Sequence, residues 1–153
     1  MKVDTPFTIA ERMMGMKEVA GPMSNPQVLA MLKLDNDWPE DDSVPWCAAF
    51  VNFCFWIMGI EGRSKSLRAR SWLKCGFEIP LSHASKGFDV IVLKRDGADQ
   101  PGPEVINAPG HVGFYHSHSD QLEKVALLGG NQGDAVNIRL YPQNRIIDIR
   151  RVL

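Results

Sequence analysis

Residues 45–60 read PWCAAFVNFCFWIMGI and contain no charged side chain. Apolar residues fall on every side of a 3.6-residue repeat, so the stretch predicts a helix over about residues 46–58, ended by Gly59 and buried nearly all round. Such a helix belongs at the centre of a domain and not on its surface. Asn52 interrupts the apolar run, which is also shorter than the roughly 20 residues that cross a bilayer, so no membrane segment is expected.

Towards the N-terminus, residues 35–45 (DNDWPEDDSVP) are acidic and proline-bearing. They predict a loop that offers Ser43 or a neighbouring polar group as a helix cap. Residues 26–34 carry Val28, Leu29, Met31, Leu32 and Leu34 at helical spacing, and residues 9–19 carry Ile9, Met13, Met16 and Val19. Two short helices are expected there, separated by the Gly21-Pro22 breaker. Towards the C-terminus a shorter helix over residues 67–74 is expected to end at Cys75-Gly76. From residue 88 the pattern changes to short β-rich runs, at residues 88–93, 111–116, 125–128, 136–140 and 146–152, bounded by Gly, Pro, Asn or Asp. The Pro- and Gly-rich residues 96–110 predict an Ω-type loop or flap. Helices first and strands later is the order of an α+β fold, here N-terminal helices with the central helix packed on a mostly antiparallel sheet of about five strands.

The chain has 153 residues, 44% hydrophobic and 23% charged. That is ordinary for a single domain and too little for two cores. The formal net charge is -1, and the basic residues are dispersed, so nucleic acid is not expected as a partner. The opening residues mix acids and bases into every apolar stretch and lack a small-residue cleavage site, so they read as no signal peptide, and a chain made in the cytoplasm is expected. Three cysteines exclude a disulfide scaffold. Cys47 and Cys54 would lie about 10 Å apart along their helix, beyond disulfide reach, so reduced thiols are expected.

A thiol becomes a useful nucleophile when its pKa falls, and the unpaired N–H groups of a helix N-terminus lower it. Cys47, directly after Pro45-Trp46, holds that position, whereas Cys54 and Cys75 read as small buried hydrophobes. His111 follows Pro109-Gly110 at the mouth of a strand, where a rigid sheet can hold an imidazole against a helix end. Asn131, in LLGGNQG, is either a residue chosen for turn conformation or an amide that orients the histidine ring. The His116-x-His118 pair has no metal-site spacing around it and reads as a solvated strand end, so no metal and no cofactor are expected. Asp89 reads as a capping or turn carboxylate. Trp46, Trp56 and Trp72 read as core, with Trp46 also placed to line a groove beside Cys47.

In this order, PWCAAFVNFC, RARSWL, FDVIVLKR, GHVGFY and LLGGNQGDAVNIRLYP resemble the cell-wall cysteine peptidases and amidases of the NlpC and CHAP groups. The resemblance covers residues 38–151 and leaves residues 1–37 as a helical N-terminal extension of the same domain. It implies a papain-like fold with Cys47 as nucleophile, His111 as base and Asn131 as third member. Many CHAP members place a glutamate two residues before the asparagine. Here that position is Gly129, which leaves Gln132 as a substitute for Asn131 or as an oxyanion donor beside Trp46.

The activity implied is cleavage of an amide bond in bacterial peptidoglycan, by an amidase or endopeptidase acting at the cell wall or periplasm after phage lysis or delivery by a secretion system. A delivered toxin would add an immunity protein as partner. Two other readings stay open: a catalytically silent wall-binding or phage structural module on the same scaffold, and a hydrolase of an intracellular amide or isopeptide.

Overall fold

The computed structural model describes residues 3–20, 23–95 and 100–153. Three α-helices precede the sheet: α1 (Pro6–Arg12), α2 (Pro26–Leu32) and α3 (Cys47–Ile57). The apolar stretch around residue 50 forms α3, and eight of its side chains are buried, from Cys47 through Phe55. Asn52 is the polar exception within it, and every group of its amide is used. Its Nδ2 donates to Ser64 Oγ and to the Ser66 carbonyl, while its Oδ1 accepts from the Lys65 backbone N–H. That satisfies a buried amide and ties the following loop to the helix.

Six strands follow: β1 (Phe77–Glu78), β2 (Asp89–Lys94), β3 (Gly110–Ser119), β4 (Lys124–Gly129), β5 (Asn137–Pro142) and β6 (Ile146–Arg151). They form one sheet in the order β1-β6-β2-β3-β4-β5 with every neighbouring pair antiparallel. The fold is therefore α+β. One face of the sheet, through Val90, Val92, Val112, Phe114 and Leu128, shares a core with all three helices. The other face carries a smaller cluster of Ile91, Leu93, Tyr115, Leu127 and Tyr141. Alternation along β2 thus feeds two cores from one strand, which is why its run reads as continuously apolar. Phe7, Ile9, Val28 and Leu32 lie in the same core as α3, so the N-terminal residues pack as part of the domain's interior.

The observed elements differ from the expected ones where local chemistry overrides periodicity. Helix α1 begins earlier and ends sooner than residues 9–19. Pro6 occupies its first turn, Thr5 caps it reciprocally with Thr8, and Met13 is its C-cap, its N–H bonded to the carbonyls of Ala10 and Glu11. Lys17 then pairs as a bridge with Ala135. Helix α2 starts at Pro26, where expected, capped by the Asn25 side chain, and stops at Leu32. The segment expected as a helix over residues 67–74 is a 3-10 helix, Ala69–Lys74. The sheet gains the two-residue β1 as an edge, and β3 runs on to Ser119. The Gly21-Pro22 breaker and residues 96–99 of the expected flap lie outside the described residues.

Candidate active site

Cys47 is the first residue of α3, and the residue before it, Trp46, makes no side-chain cap. Ser43, expected as a cap, is engaged instead with Asp41. The first turn therefore keeps its N–H groups uncommitted, and that of Ala48 is available to the Cys47 sulfur. Trp46 does not line a groove. It is fully buried, its ring packs edge-on to Phe50, and its indole N–H donates to Glu18 at 2.6 Å. A Cβ on Gly130 would lie 2.6 Å from the Trp46 ring, so the glycine is what lets the β4 end close over this indole.

His111 is the second residue of β3, opposite Leu93 of β2. Its imidazole and the Cys47 sulfur form a coupled pair. Burial pushes the thiol pKa up, but the hydrogen bond and charge of His111, with the backbone N–H groups of Val112 and Ala48, outweigh it and hold the pKa below the ordinary thiol value. Burial likewise pulls the imidazole pKa down, and the hydrogen bond and charge of Cys47, assisted by Gln132, outweigh that and raise it. Both shifts favour the same state, a thiolate beside an imidazolium. Cys54, two turns further into α3, feels only burial of consequence, and its thiol pKa is driven far up. Cys75 is shifted up by burial as well.

The third member of the cluster is Gln132. Its Oε1 sits 2.9 Å from His111 Nε2, which leaves the other ring nitrogen for Cys47. Gln132 is itself buried, and its Nε2 donates to Leu127 O, Asn137 O and Asn137 Oδ1. The amide orientation is thereby fixed, and its N–H groups are spent inside the protein, so Gln132 is no oxyanion donor. Asn131, expected to orient the ring, does not reach it. Asn131 occupies the left-handed region at φ 56, a conformation asparagine tolerates better than most residues, and it serves the turn that aims its neighbour inward. Gly129 is part of the same device. A Cβ there would stand 2.8 Å from Gln132 Oε1, so glycine at this position leaves the space that the Gln132 amide fills.

Two further residues belong to the cluster and were not singled out from the sequence. Tyr141 on β5 donates its hydroxyl to Gln132 Oε1 at 3.1 Å, and its ring lies 5.5 Å from the His111 ring. Burial is the main reason its phenol pKa is pushed up to about 12, so it remains a donor at any working pH. Arg70 is fully buried, which pulls its pKa down, and the charge of Glu104 offsets part of that. It donates to the carbonyls of Pro101, Gly102, Val105 and Pro109, and so clamps the loop that delivers His111. Its sequence signal is the RARSWL motif, whose second arginine it is.

Beside Cys47 opens a cleft of ≈ 230 Å³, lined by Pro45, Leu67, Ala69 and residues 107–110, with the exposed Arg68 and Arg95 at its rim. The described end of the expected flap thus lines this cleft. Among the described residues no group of three or more His, Cys, Asp or Glu side chains could hold a metal. His116 and His118 turn to Ser117 and Tyr115 instead, and no helix is long and apolar enough to cross a membrane. Asp89, expected as a capping or turn carboxylate, is buried, accepts from the Ser85 backbone N–H and pairs with Arg151.

No protein-family model and no curated protein matches the sequence. Among solved structures, NlpC1 from Trichomonas vaginalis superposes with a TM-score of 0.56 at 16% identity, over 99% of this chain and 46% of that one. The fold is NlpC-like. The chain spans less than half the length of that structure, and the likeness at this identity is one of fold, a papain-like arrangement of helices against a six-stranded antiparallel sheet.

Proposed function

We propose that the chain is a cysteine hydrolase that cleaves an amide bond of bacterial peptidoglycan by acyl transfer through Cys47. One observation carries the reading: the single thiol held at an uncapped helix N-terminus is also the one whose pKa is lowered, against an imidazole whose far nitrogen is fixed by a buried amide. The other two thiols have neither a histidine nor a helix N-terminus beside them. The peptidoglycan substrate rests on the sequence motifs shared with the NlpC and CHAP groups, to which the NlpC-like fold lends support.

The chemistry follows from the pair. The Cys47 thiolate attacks the amide carbonyl, and the negative charge that develops on oxygen is met by the Cys47 backbone N–H in the uncapped first turn. His111, whose raised pKa favours the protonated ring, hands its proton to the departing amine. A water molecule, deprotonated by the now neutral His111, then attacks the thioester and releases the acid, with the proton returning to the pair. Gln132 and Tyr141 keep the ring in the one orientation that serves both steps.

Digestion of purified sacculi by the wild-type protein and by Cys47→Ala, with products identified by mass spectrometry, tests the proposal. Muropeptide fragments should appear with the wild type and vanish with the variant. Equal release by both, or release by neither, overturns it and leaves the scaffold a binding or structural module.

A further inference from the structure

The chain's arginines are spoken for, with two exceptions. Carboxylates pair with Arg12, Arg63, Arg150 and Arg151, backbone carbonyls accept from Arg70 and Arg145, and Arg139 bonds Tyr141. Arg68 and Arg95 have no side-chain partner among the described residues, and both line the cleft that contains Cys47. They reach it from different elements. Arg68 directly precedes the 3-10 helix Ala69–Lys74, and Arg95 follows the last residue of β2. Among the described residues none of the others lining the cleft is acidic. Both guanidinium groups are exposed, so the protein pays nothing in desolvation to keep them charged and unpaired, and it gains nothing in stability from them.

Two cations without a partner among the described residues, at the rim of a small cleft in a chain whose net charge is -1, make a local positive field. A guanidinium presents a planar fork that matches a carboxylate in two parallel hydrogen bonds. The cleft of ≈ 230 Å³ is below the size of sites that engulf a whole drug-sized ligand, about 300–1,000 Å³, so what enters it is a short part of something longer. The nucleophile forms part of its wall, so any group held by the rim lies close to the bond being cut.

We propose that Arg68 and Arg95 form a carboxylate-recognition site, and that the substrate is a peptide bearing a free carboxylate next to the scissile amide. The assignment rests on the hydrolase reading for the word substrate, but the recognition itself does not depend on turnover. Arg68 and Arg95 act on specificity and the Cys47–His111 pair on chemistry. An unamidated peptide therefore binds and reacts better than its carboxamide counterpart, which has the same shape and no charge.

Binding is measured by calorimetry on the Cys47→Ala protein, with a synthetic wall-type tetrapeptide offered once with free side carboxylates and once with those groups amidated. The carboxylate form should bind roughly tenfold more tightly, since each exposed guanidinium–carboxylate contact contributes at most about a factor of five. The preference should shrink with added salt, because exposed pairs are screened. In Arg68→Gln/Arg95→Gln the ratio should fall towards one, and in Arg68→Lys/Arg95→Lys, which keeps charge without the fork, it should lie between. Equal binding of the two peptides by the parent, or a preference untouched by the double glutamine variant, overturns the assignment. Preference for phosphate-bearing wall polymer over the carboxylate peptide overturns it too. Hydrolysis by the Cys47-containing protein is followed separately on both peptides: absence of cleavage with the binding preference intact sinks the hydrolase reading and spares this one, and the reverse pattern does the opposite.

Discussion

Cys47 and Cys54 sit on one helix, in one core, two turns apart, and both are buried. Yet the pKa of the first is lowered and that of the second driven far up. Burial acts on both in the same direction, towards the neutral thiol. What separates them is the end of the helix. At Cys47 the backbone has N–H groups to spare and the sheet brings His111 alongside. At Cys54 there is no histidine alongside, and the one backbone hydrogen bond that favours its charge is outweighed by burial. Reactivity here is a property of position within an element, and hydrophobic surroundings alone make an inert thiol.

The largest effect should come from breaking that contrast at its source. Cys47→Ala should lower kcat/KM on sacculi at least about a thousandfold, as loss of a nucleophile does. Cys54→Ala should leave kcat/KM within about threefold and cost about 1 kcal/mol in urea unfolding, the effect of a small cavity. At pH 7, iodoacetamide should alkylate Cys47 well before Cys54 or Cys75, as read by peptide mapping. Preferential labelling of Cys54 would contradict the account of what lowers a thiol pKa here.

The next effect is at Gln132, which acts on the sulfur only through the ring. Gln132→Ala should reduce kcat/KM by on the order of a hundredfold, because the ring loses its orientation and part of the support for its charge. The pH profile distinguishes this from general damage. The thiol pKa is lowered and the imidazole pKa raised. Activity should therefore disappear as pH falls through the first and again as pH rises through the second, with the two limbs belonging to the pair as a whole. Gln132 raises the imidazole value, so its removal should draw the alkaline limb to lower pH and leave the acid limb less affected. Asn131→Ala, one residue away, should move neither limb.

Arg70 tests whether the loop before His111 matters as much as the residues after it. Arg70→Met removes four carbonyl contacts at once and leaves buried acceptors unmatched. It should destabilise the protein by about 2–3 kcal/mol in urea and lower kcat/KM roughly tenfold through misplacement of His111. Loss of stability with full activity in the surviving folded fraction would show that β3 holds the histidine without the loop.

Much of this arrangement is legible in the sequence because it is written in short-range pattern. The central helix, the antiparallel strands and the Cys47–His111 pair follow from an apolar run, alternating runs and two residues at element ends. Helix α1 departs from the bounds its periodicity gives because stronger local signals set its start, a proline at the first helical turn and the Thr5–Thr8 capping box. The third polar residue was displaced by one position for a different reason. In GGNQG either amide can face inward, and the outcome depends on Asn131 adopting φ 56 and on the room left by Gly129, which is a property of the folded turn. Tyr141 and Arg70 lie on elements whose relation to the site exists only once β5 and residues 100–109 have been brought beside β3. No spacing along the chain encodes that.

The smallest expected effect concerns Trp46, which the sequence placed between core and groove. Its ring is enclosed by Phe50 and Gly130 and its N–H is bound to Glu18. Trp46→Phe keeps most of the apolar contact and loses the hydrogen bond to a carboxylate, so it should cost about 1–2 kcal/mol, near the lower end for a bond to a charged group. Glu18→Gln keeps an acceptor and should cost less. Because Trp46 sets where α3 begins, a small shift of the helix start passes to Cys47, and kcat/KM should fall by only about twofold to fivefold. A variant that unfolds as the wild type does while losing substrate binding would mean that the indole touches substrate after all. In that case the first turn of α3 opens in the complex, and the burial that separates Trp46 from the cleft describes the resting protein alone.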